Sequence, residues 1–74
     1  MRCKIVFRWD PEEAVWIATS NDVPGLVLES GSFDALVERV KQAVPELVKL
    51  NSSGPQDFTL SFFTEREDQV LAYG

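Results

Sequence analysis

The chain has 74 residues, 45% hydrophobic and 26% charged, which gives room for one domain and indicates an ordered globular protein rather than a disordered segment. Seven Lys and Arg against 12 Asp and Glu give a net charge of −5, and because an acidic surface repels phosphate backbones we expect no direct nucleic-acid partner. The single cysteine excludes an internal disulfide, and neither a signal peptide nor a run long enough to span a membrane is present, so we expect a cytoplasmic protein without membrane contact.

Two strands are predicted in the first part of the chain. Apolar and polar residues alternate up to Trp9, with one apolar face made of Cys3, Ile5, Phe7 and Trp9. Residues 10–13 predict a turn around a proline, and residues 14–19 predict a second strand. With a four-residue turn, the expected pairs are Trp9 with Ala14, Phe7 with Trp16, and Ile5 with Ala18.

A turn, a short strand and a helix are predicted next. Residues 20–25 are rich in turn formers, residues 26–29 predict the third strand, and Ser32 is a suitable N-cap with Asp34 in the first helical turn. The helix has one apolar stripe, formed by Phe33, Leu36, Val37, Val40, Val44, Leu47 and Val48. Pro45 predicts a kink or short break near residues 41–45, and residues 51–55 predict the helix stop.

The last predicted strand covers residues 57–64, and residues 65–74 form a short tail with an apolar patch at 70–73. The resulting order is β-β-β-α-β, for which we expect an α+β fold with a four-stranded antiparallel sheet and one helix packed on one face. The last strand is expected at an edge or beside the first strand. The whole chain is expected to be a single domain, with a core of about residues 3–64 and no DNA-binding domain.

Residues suited to catalysis are few. The chain has no histidine, which removes the commonest general base and metal ligand, and Cys3 falls on the apolar face of the first strand, where a buried thiol is expected. The acids at 10, 12 and 13 and Asp22 lie at opposite ends of the second strand, so they are expected not to converge on one metal ion. We therefore expect no enzyme activity, catalytic residue, metal site or cofactor.

The sheet face away from the helix is the predicted interface. Four apolar residues are expected on it with no second helix to cover them: Val6, Val15, Ile17 and Phe63. Such surface is typical of protein interfaces, and a two-fold homodimer through this face is expected. Two alternatives remain. The tail at 70–73 could fold back over the face, or Arg2, Lys4 and Arg8 could form a basic stripe that binds single-stranded nucleic acid.

Several segments resemble the HicB-like antitoxin superfamily, and within it a subgroup of short, stand-alone bacterial proteins of unknown function. The similarity spans roughly residues 3–64 and rests on Trp9-Asp10, Val15-Trp16-Ile17-Ala18-Thr19-Ser20, Asp22-Val23-Pro24-Gly25-Leu26 and Val44-Pro45-Glu46-Leu47. The resemblance implies a partial ribonuclease-H-like fold without the nuclease's acidic cluster. It also implies a protein that sequesters a small, basic, RNA-cleaving toxin similar to HicA.

The leading hypothesis is therefore a non-enzymatic, HicB-like protein-interaction domain that neutralises such a toxin. Glu38 and Glu46, on the predicted exposed side of the helix, are candidates for facing a basic partner. One alternative is a small regulatory domain that binds a ligand between sheet and helix. Another is a residual nuclease that uses Asp10 and Asp22.

Overall fold

The structure is a computed structural model that describes residues 1–49 and 57–73. It contains four strands, β1 (Arg2–Asp10), β2 (Val15–Thr19), β3 (Val27–Ser30) and β4 (Thr59–Glu65), and one helix, α1 (Phe33–Lys49). The strands form one sheet in the order β3-β2-β1-β4, so β3 and β4 are its edges. The predicted α+β fold, with four strands and one helix, is confirmed.

The orientation of β4 differs from the prediction. It pairs with β1 in parallel, whereas β1–β2 and β2–β3 are antiparallel, so the sheet is mixed rather than antiparallel. The reason is the helix: α1 carries the chain back across the sheet before β4 begins, so β3 and β4 run in the same direction. As predicted, β4 lies at an edge and beside β1.

The β1–β2 register is shifted by two residues from the prediction. Trp9 pairs with Trp16 and Phe7 with Ala18, so the predicted pairs of Trp9 with Ala14, Phe7 with Trp16 and Ile5 with Ala18 are wrong. The turn occupies residues 11–14, and Ala14 has a φ of 54°, which a non-glycine residue rarely adopts. Because the shift is an even number of residues, every side chain keeps its predicted face.

The core lies between the inner sheet face and α1. Nine hydrophobic residues are buried: Cys3, Ile5, Phe7, Ala18, Val23, Leu26, Leu36, Val40 and Val44. They include the odd-numbered face of β1 up to Phe7 and the centre of the predicted helical stripe, and the other stripe residues pack around them. Each large aliphatic side chain that is removed from water here contributes about 1.5–3 kcal/mol to the stability of the fold.

The helix begins as predicted. The Ser32 hydroxyl accepts a hydrogen bond from the backbone N–H of Ala35 at 3.2 Å, which is N-cap geometry, and Asp34 lies in the first turn. Of the kink or short break predicted near residues 41–45, the break is wrong, because α1 is continuous from Phe33 to Lys49. Val40 and Val44, both fully buried, hold this part of the helix in place although Pro45 removes one backbone donor. The predicted helix stop at 51–55 lies outside the described residues.

The loop between β2 and β3 contributes to the core. Val23 is fully buried and Leu26 is 3% exposed, and the N–H of Leu26 donates to the carbonyl of Val23 at 3.2 Å, which closes a turn through Pro24 and Gly25. Gly25 has a φ of +86°, and a Cβ atom added to it would lie 3.9 Å from Leu47. The loop thus packs beneath the C-terminal half of α1 and draws the helix toward β3 and β2.

Candidate protein-interaction surfaces

The outer sheet face carries all four residues predicted for the interface. The strand registers place Val6, Val15, Ile17 and Phe63 on the side opposite the helix, where Val6 pairs directly with Phe63 and Ile17 lies beside Arg8. Val6, Val15 and Ile17 are half-buried by their neighbours in the sheet, and Phe63 is 49% exposed. Within the described residues no second layer covers this face, so it remains a candidate interface.

Charged residues on the outer face are engaged by their neighbours. The Lys4 ammonium lies 4.6 Å from the centre of the Phe63 ring, and the Arg8 guanidinium is 3.5 Å from the Glu65 carboxylate. Lys4 thus makes a cation–π contact with Phe63, and Arg8 forms an ion pair with Glu65. The basic stripe of Arg2, Lys4 and Arg8 is therefore interleaved with apolar and acidic groups of the same face.

A second surface is the groove between α1 and β4. Because the helix is drawn toward β3, the inner side of β4 is only partly covered, and Phe62 is 41% exposed. The groove is lined by Val37, Lys41, Pro45, Phe58, Leu60 and Phe62. Five of these six side chains are apolar, which makes the groove a site for an apolar ligand or an apolar segment of protein.

The groove opens on an unpaired strand edge. β4 pairs with β1 on one side only, so the backbone N–H and C=O groups along its other side have no strand partner among the described residues. Phe62 on the inner side and Phe63 on the outer side flank this edge, and both are exposed. An edge strand with exposed aromatic residues on both faces is suited to pairing with another strand.

The segment that follows β4 extends away from the domain. Residues 66–73 have no secondary structure, and Val70, Leu71 and Tyr73 are 88%, 74% and 89% exposed. The tail therefore does not cover the outer face, so the alternative in which residues 70–73 fold back over it is wrong. Its first residue is held in place, because the Arg66 guanidinium stacks 4.2 Å from the Trp9 ring and pairs with Asp68 at 3.1 Å.

A line of aromatic contacts connects the groove with the base of the tail. Ring centres are 5.4 Å apart between Phe62 and Phe7, 4.9 Å between Phe7 and Phe33, and 5.2 Å between Phe33 and Trp16. Trp16 then contacts Trp9 at 5.4 Å, with Arg66 above both tryptophans. This packing fixes the groove wall relative to the point where the tail leaves the sheet.

The two predicted partner-facing acids are both exposed but lie on opposite flanks of α1. Glu38 contacts Lys41, which lines the β4 groove, at 3.2 Å. Glu46 lines a shallow cleft on the other flank, beside Val27 and Leu28 of β3. A partner that contacts both acids must therefore lie across the exposed top of the helix.

The remaining acids form turns. The Asp10 carboxylate accepts hydrogen bonds from the N–H groups of Glu12 and Glu13, at 3.0 and 3.4 Å. The Asp22 carboxylate accepts a hydrogen bond from the N–H of Lys4 at 2.7 Å. Lys4 lies six residues before Asp10 on β1, a distance of about 20 Å along the strand. The structure thus separates Asp10 from Asp22, and residues 1–49 and 57–73 contain no cluster of three acidic, cysteine or histidine side chains suited to a metal.

The loop around Asp22 also replaces a missing strand partner. β2 pairs with β1 only from Val6 onward, and beyond that point the side chains of Ser20 and Asp22 take over. The Ser20 hydroxyl donates to the Lys4 carbonyl at 2.7 Å, while Asp22 accepts from the Lys4 N–H. Both backbone groups of Lys4 on this side are therefore satisfied by loop side chains.

Cys3 is fully buried in the core, as predicted. Burial raises the pKa of the Cys3 thiol above its ordinary value of 9.0, and the nearby Asp22 carboxylate raises the pKa further, against a smaller lowering by the N-terminal amine. The thiol is therefore neutral at physiological pH and shielded from solvent, which makes it a poor nucleophile.

The sequence-based prediction included a ligand site between sheet and helix and an apolar patch at 70–73, but it did not place the groove and the open edge at β4 or predict that the tail is exposed. Phe58, Leu60 and Phe62 form one apolar strand face in the sequence pattern, but nothing local in the sequence indicates how far the helix extends over that face. A signal for the tail was available, since Val70, Leu71 and Tyr73 follow β4 without a glycine or proline that would turn the chain back.

The protein is thus a small α+β domain in which one helix covers one face of the sheet. Two apolar surfaces, the outer sheet face and the groove between α1 and β4, are uncovered among the described residues. The sequence matches, over residues 2–74, the family described as a domain of unknown function, DUF1902. The match covers nearly the whole chain, and the protein belongs to this family.

Among solved structures, the chain is similar to the hypothetical protein TTHA1013 from the extremely thermophilic bacterium Thermus thermophilus. The two are 31% identical, with a TM-score of 0.78, and the match covers 95% of this chain and 100% of the Thermus protein. No curated protein matches the sequence. In the described part of the chain, no helix is both long and apolar enough to cross a membrane.

Proposed function

We propose that the protein is a non-enzymatic, HicB-like interaction domain that acts in the cytoplasm by binding a small basic protein, an RNA-cleaving toxin of the HicA type. The observation that carries this proposal is the outer sheet face, where Val6, Val15, Ile17 and Phe63 form an apolar surface without a covering layer among the described residues. Uncovered apolar surface of this kind is typical of docking sites on other proteins.

Charge supports a basic partner. The net charge is −5, and Glu38 and Glu46 are exposed on α1, so opposite potentials would accelerate encounter with a cationic protein. The residual-nuclease alternative has less support, because Asp22 is bound to Lys4, which lies about 20 Å of strand before Asp10.

The test is co-expression of the chain with small basic proteins encoded beside it, followed by binding and RNA-cleavage assays. We expect a purified complex, loss of RNA cleavage by the partner, and an association rate that falls steeply between low and high salt. Glu38→Lys and Glu46→Lys should each slow association. Glu12→Lys, which makes the same charge change in the β1–β2 turn, is the matched control and should have a smaller effect.

Two results would contradict the proposal. One is a stable complex whose partner is acidic or whose association rate is indifferent to salt. The other is magnesium-dependent RNA cleavage by this chain alone that survives further purification and is lost in Asp10→Asn or Asp22→Asn.

A second candidate function, ligand binding between sheet and helix, is favoured by the groove between α1 and β4. Its five apolar lining residues and the single charge of Lys41 suit a hydrophobic acid. A large thermal shift with an alkyl carboxylate, abolished by Leu60→Asp but not by Glu46→Lys, would support it.

A further inference from the structure

We propose that the β4 groove and edge bind residues 66–73 of a second copy of this chain, in a reciprocal two-fold exchange of tails. The inference goes beyond the proposed function and does not rest on it, because Phe63, at the β4 edge, is the one outer-face interface residue that takes part in the exchange. It keeps the expectation of a homodimer and assigns it a different surface, on the β4 side of the domain.

The first argument is the shape of the molecule. The domain measures 60 × 20 × 18 Å, whereas its longest strand, nine residues of β1, spans only about 30 Å. Residues 66–73 continue β4 and would span about 26 Å if extended, which is close to the remaining distance of about 30 Å. The elongated shape and the exposure of Val70, Leu71 and Tyr73 together point to a tail that projects from the domain into solvent.

The second argument is that the tail does not return to its own domain. Arg66 is held by the rings of Trp9 and Trp16 and by Asp68, and beyond it Val70, Leu71 and Tyr73 are exposed rather than packed on the sheet. Between Arg66 and Tyr73 there is no glycine or proline to reverse the chain. Exposed apolar residues on a segment that projects from its own domain are best buried by another molecule.

The third argument is the match between the tail and the β4 edge. β4 has seven residues with one side unpaired in the described part of the chain, and the tail that continues it has eight residues without secondary structure of their own. An antiparallel arrangement of two copies, with the two-fold axis near Arg66, places each tail along the other copy's β4. Each tail then adds a strand to the partner's sheet and satisfies the free backbone groups of the edge.

The fourth argument is the distribution of apolar side chains. Successive residues of a strand point to opposite sides of a sheet, and the tail has adjacent apolar residues at 70–73. β4 likewise has exposed aromatic residues on both sides, Phe62 toward the groove and Phe63 toward the outer face. One added strand therefore covers both aromatic rings and fills the groove, and the symmetric arrangement does so twice in one dimer.

The experiment measures the oligomeric state of the full chain by sedimentation equilibrium over a concentration series. We expect a dimer whose Kd rises on the order of 100-fold or more in Leu71→Asp, since one apolar contact is lost in each half of the interface. The matched control is Gln69→Asp, which adds the same charge to the same segment and should leave the Kd within a few-fold of wild type. Both side chains are exposed in the single copy, so both variants keep the protomer folded.

A mixing experiment identifies the two halves of the contact. Phe62→Asp impairs the groove and keeps the tail, whereas Leu71→Asp impairs the tail and keeps the groove. An equimolar mixture should form a heterodimer more stable than either variant alone, because one tail–groove contact is intact. If Phe62→Asp proves unfolded by circular dichroism, the comparison of Leu71→Asp with Gln69→Asp decides the question by itself.

The inference is overturned by a wild-type monomer at about 1 mM, a concentration at which even weak specific dimers form. It is equally overturned by a dimer that Leu71→Asp leaves unchanged, or that Gln69→Asp weakens as much. A dimer dissociated by Ile17→Lys and insensitive to Leu71→Asp would place the interface on the outer face instead. None of these results depends on whether a toxin is bound, so the two proposals fail separately.

Discussion

Replacing Gly25 tests whether the turn between β2 and β3 is held by backbone conformation. Gly25 has a φ of +86°, the third position of a turn closed by the hydrogen bond from Leu26 to Val23, which is the geometry of a type II turn. A Cβ atom there would meet nothing closer than Leu47 at 3.9 Å, an ordinary contact distance. Space is therefore available for alanine, and a loss of stability in Gly25→Ala must come from the backbone.

The magnitude follows from the cost of a left-handed conformation. An L-residue there costs about 1–2 kcal/mol, and a β-branched residue costs more, about 2–3 kcal/mol, while asparagine tolerates it best. The whole domain is stable by only about 4–11 kcal/mol at typical values per residue. Each kcal/mol lowers the Tm of a domain this small by about 4–8 °C, so Gly25→Val should lower the Tm by about 8 °C or more.

Thermal and urea unfolding followed by circular dichroism give the measurement. The expected order of stability is wild type, then Gly25→Asn, then Gly25→Ala, then Gly25→Val. Gly31→Ala is the control, because Gly31 has no positive φ and its added Cβ would lie 3.7 Å from the Ala14 carbonyl; it should change stability by less than about 0.5 kcal/mol. A Gly25→Ala protein as stable as wild type would refute the argument from backbone conformation.

Three further predictions concern other local features. Ala14→Gly should raise the Tm by several degrees. A φ of 54° costs alanine about 1–2 kcal/mol, which exceeds the free-energy cost of the extra backbone entropy that glycine gives the unfolded chain. Ala18→Gly, in a regular strand, should lower the Tm. Ser32→Ala should cost about 1 kcal/mol in urea unfolding, whereas Ser32→Asp should retain the N-cap. Because the folded pKa of Cys3 is raised, burying the neutral thiol stabilises the fold fully below pH 9.0, and this contribution is lost as the pH rises through the folded pKa. In Cys3→Ala, the free energy of unfolding should therefore fall less steeply as the pH rises above 9.0. A pH dependence unchanged from wild type would contradict a raised pKa of Cys3.

Locally encoded features were predictable from the sequence. The N-cap at Ser32, the apolar stripe of the helix and the turn at Val23-Pro24-Gly25 each depend on residues within a few positions of one another, and the structure confirms them. The faces of β1 and β2 were also correct although the pairs were not. A register error of two residues leaves the side-chain alternation unchanged, whereas an error of one would have reversed it.

Features that depend on distant contacts were not predictable. The direction of β4 is set by how α1 crosses the sheet, and the sequence of β4 carries no mark of a parallel partner. The β4 groove exists because Val23 and Leu26 pack beneath the helix on the far side, which no periodicity reveals. The interface roles of Val6, Val15, Ile17 and Phe63, and of Glu38 and Glu46, stay predictions, although their positions are now known.

The parallel pairing of β1 with β4 has a consequence for the order of folding. β1 meets β2 across a four-residue turn, but Arg2 pairs with Thr59, 57 residues further along the chain. Closing so long a loop costs more entropy than closing a hairpin, so we expect the β1–β2–β3 meander to form first and β4 to dock last. Until then the long edge of β1 is open, and at high protein concentration β4 of another nascent chain competes for it. This competition should make refolding slow and dependent on protein concentration. Dilution during refolding should favour the correctly closed domain.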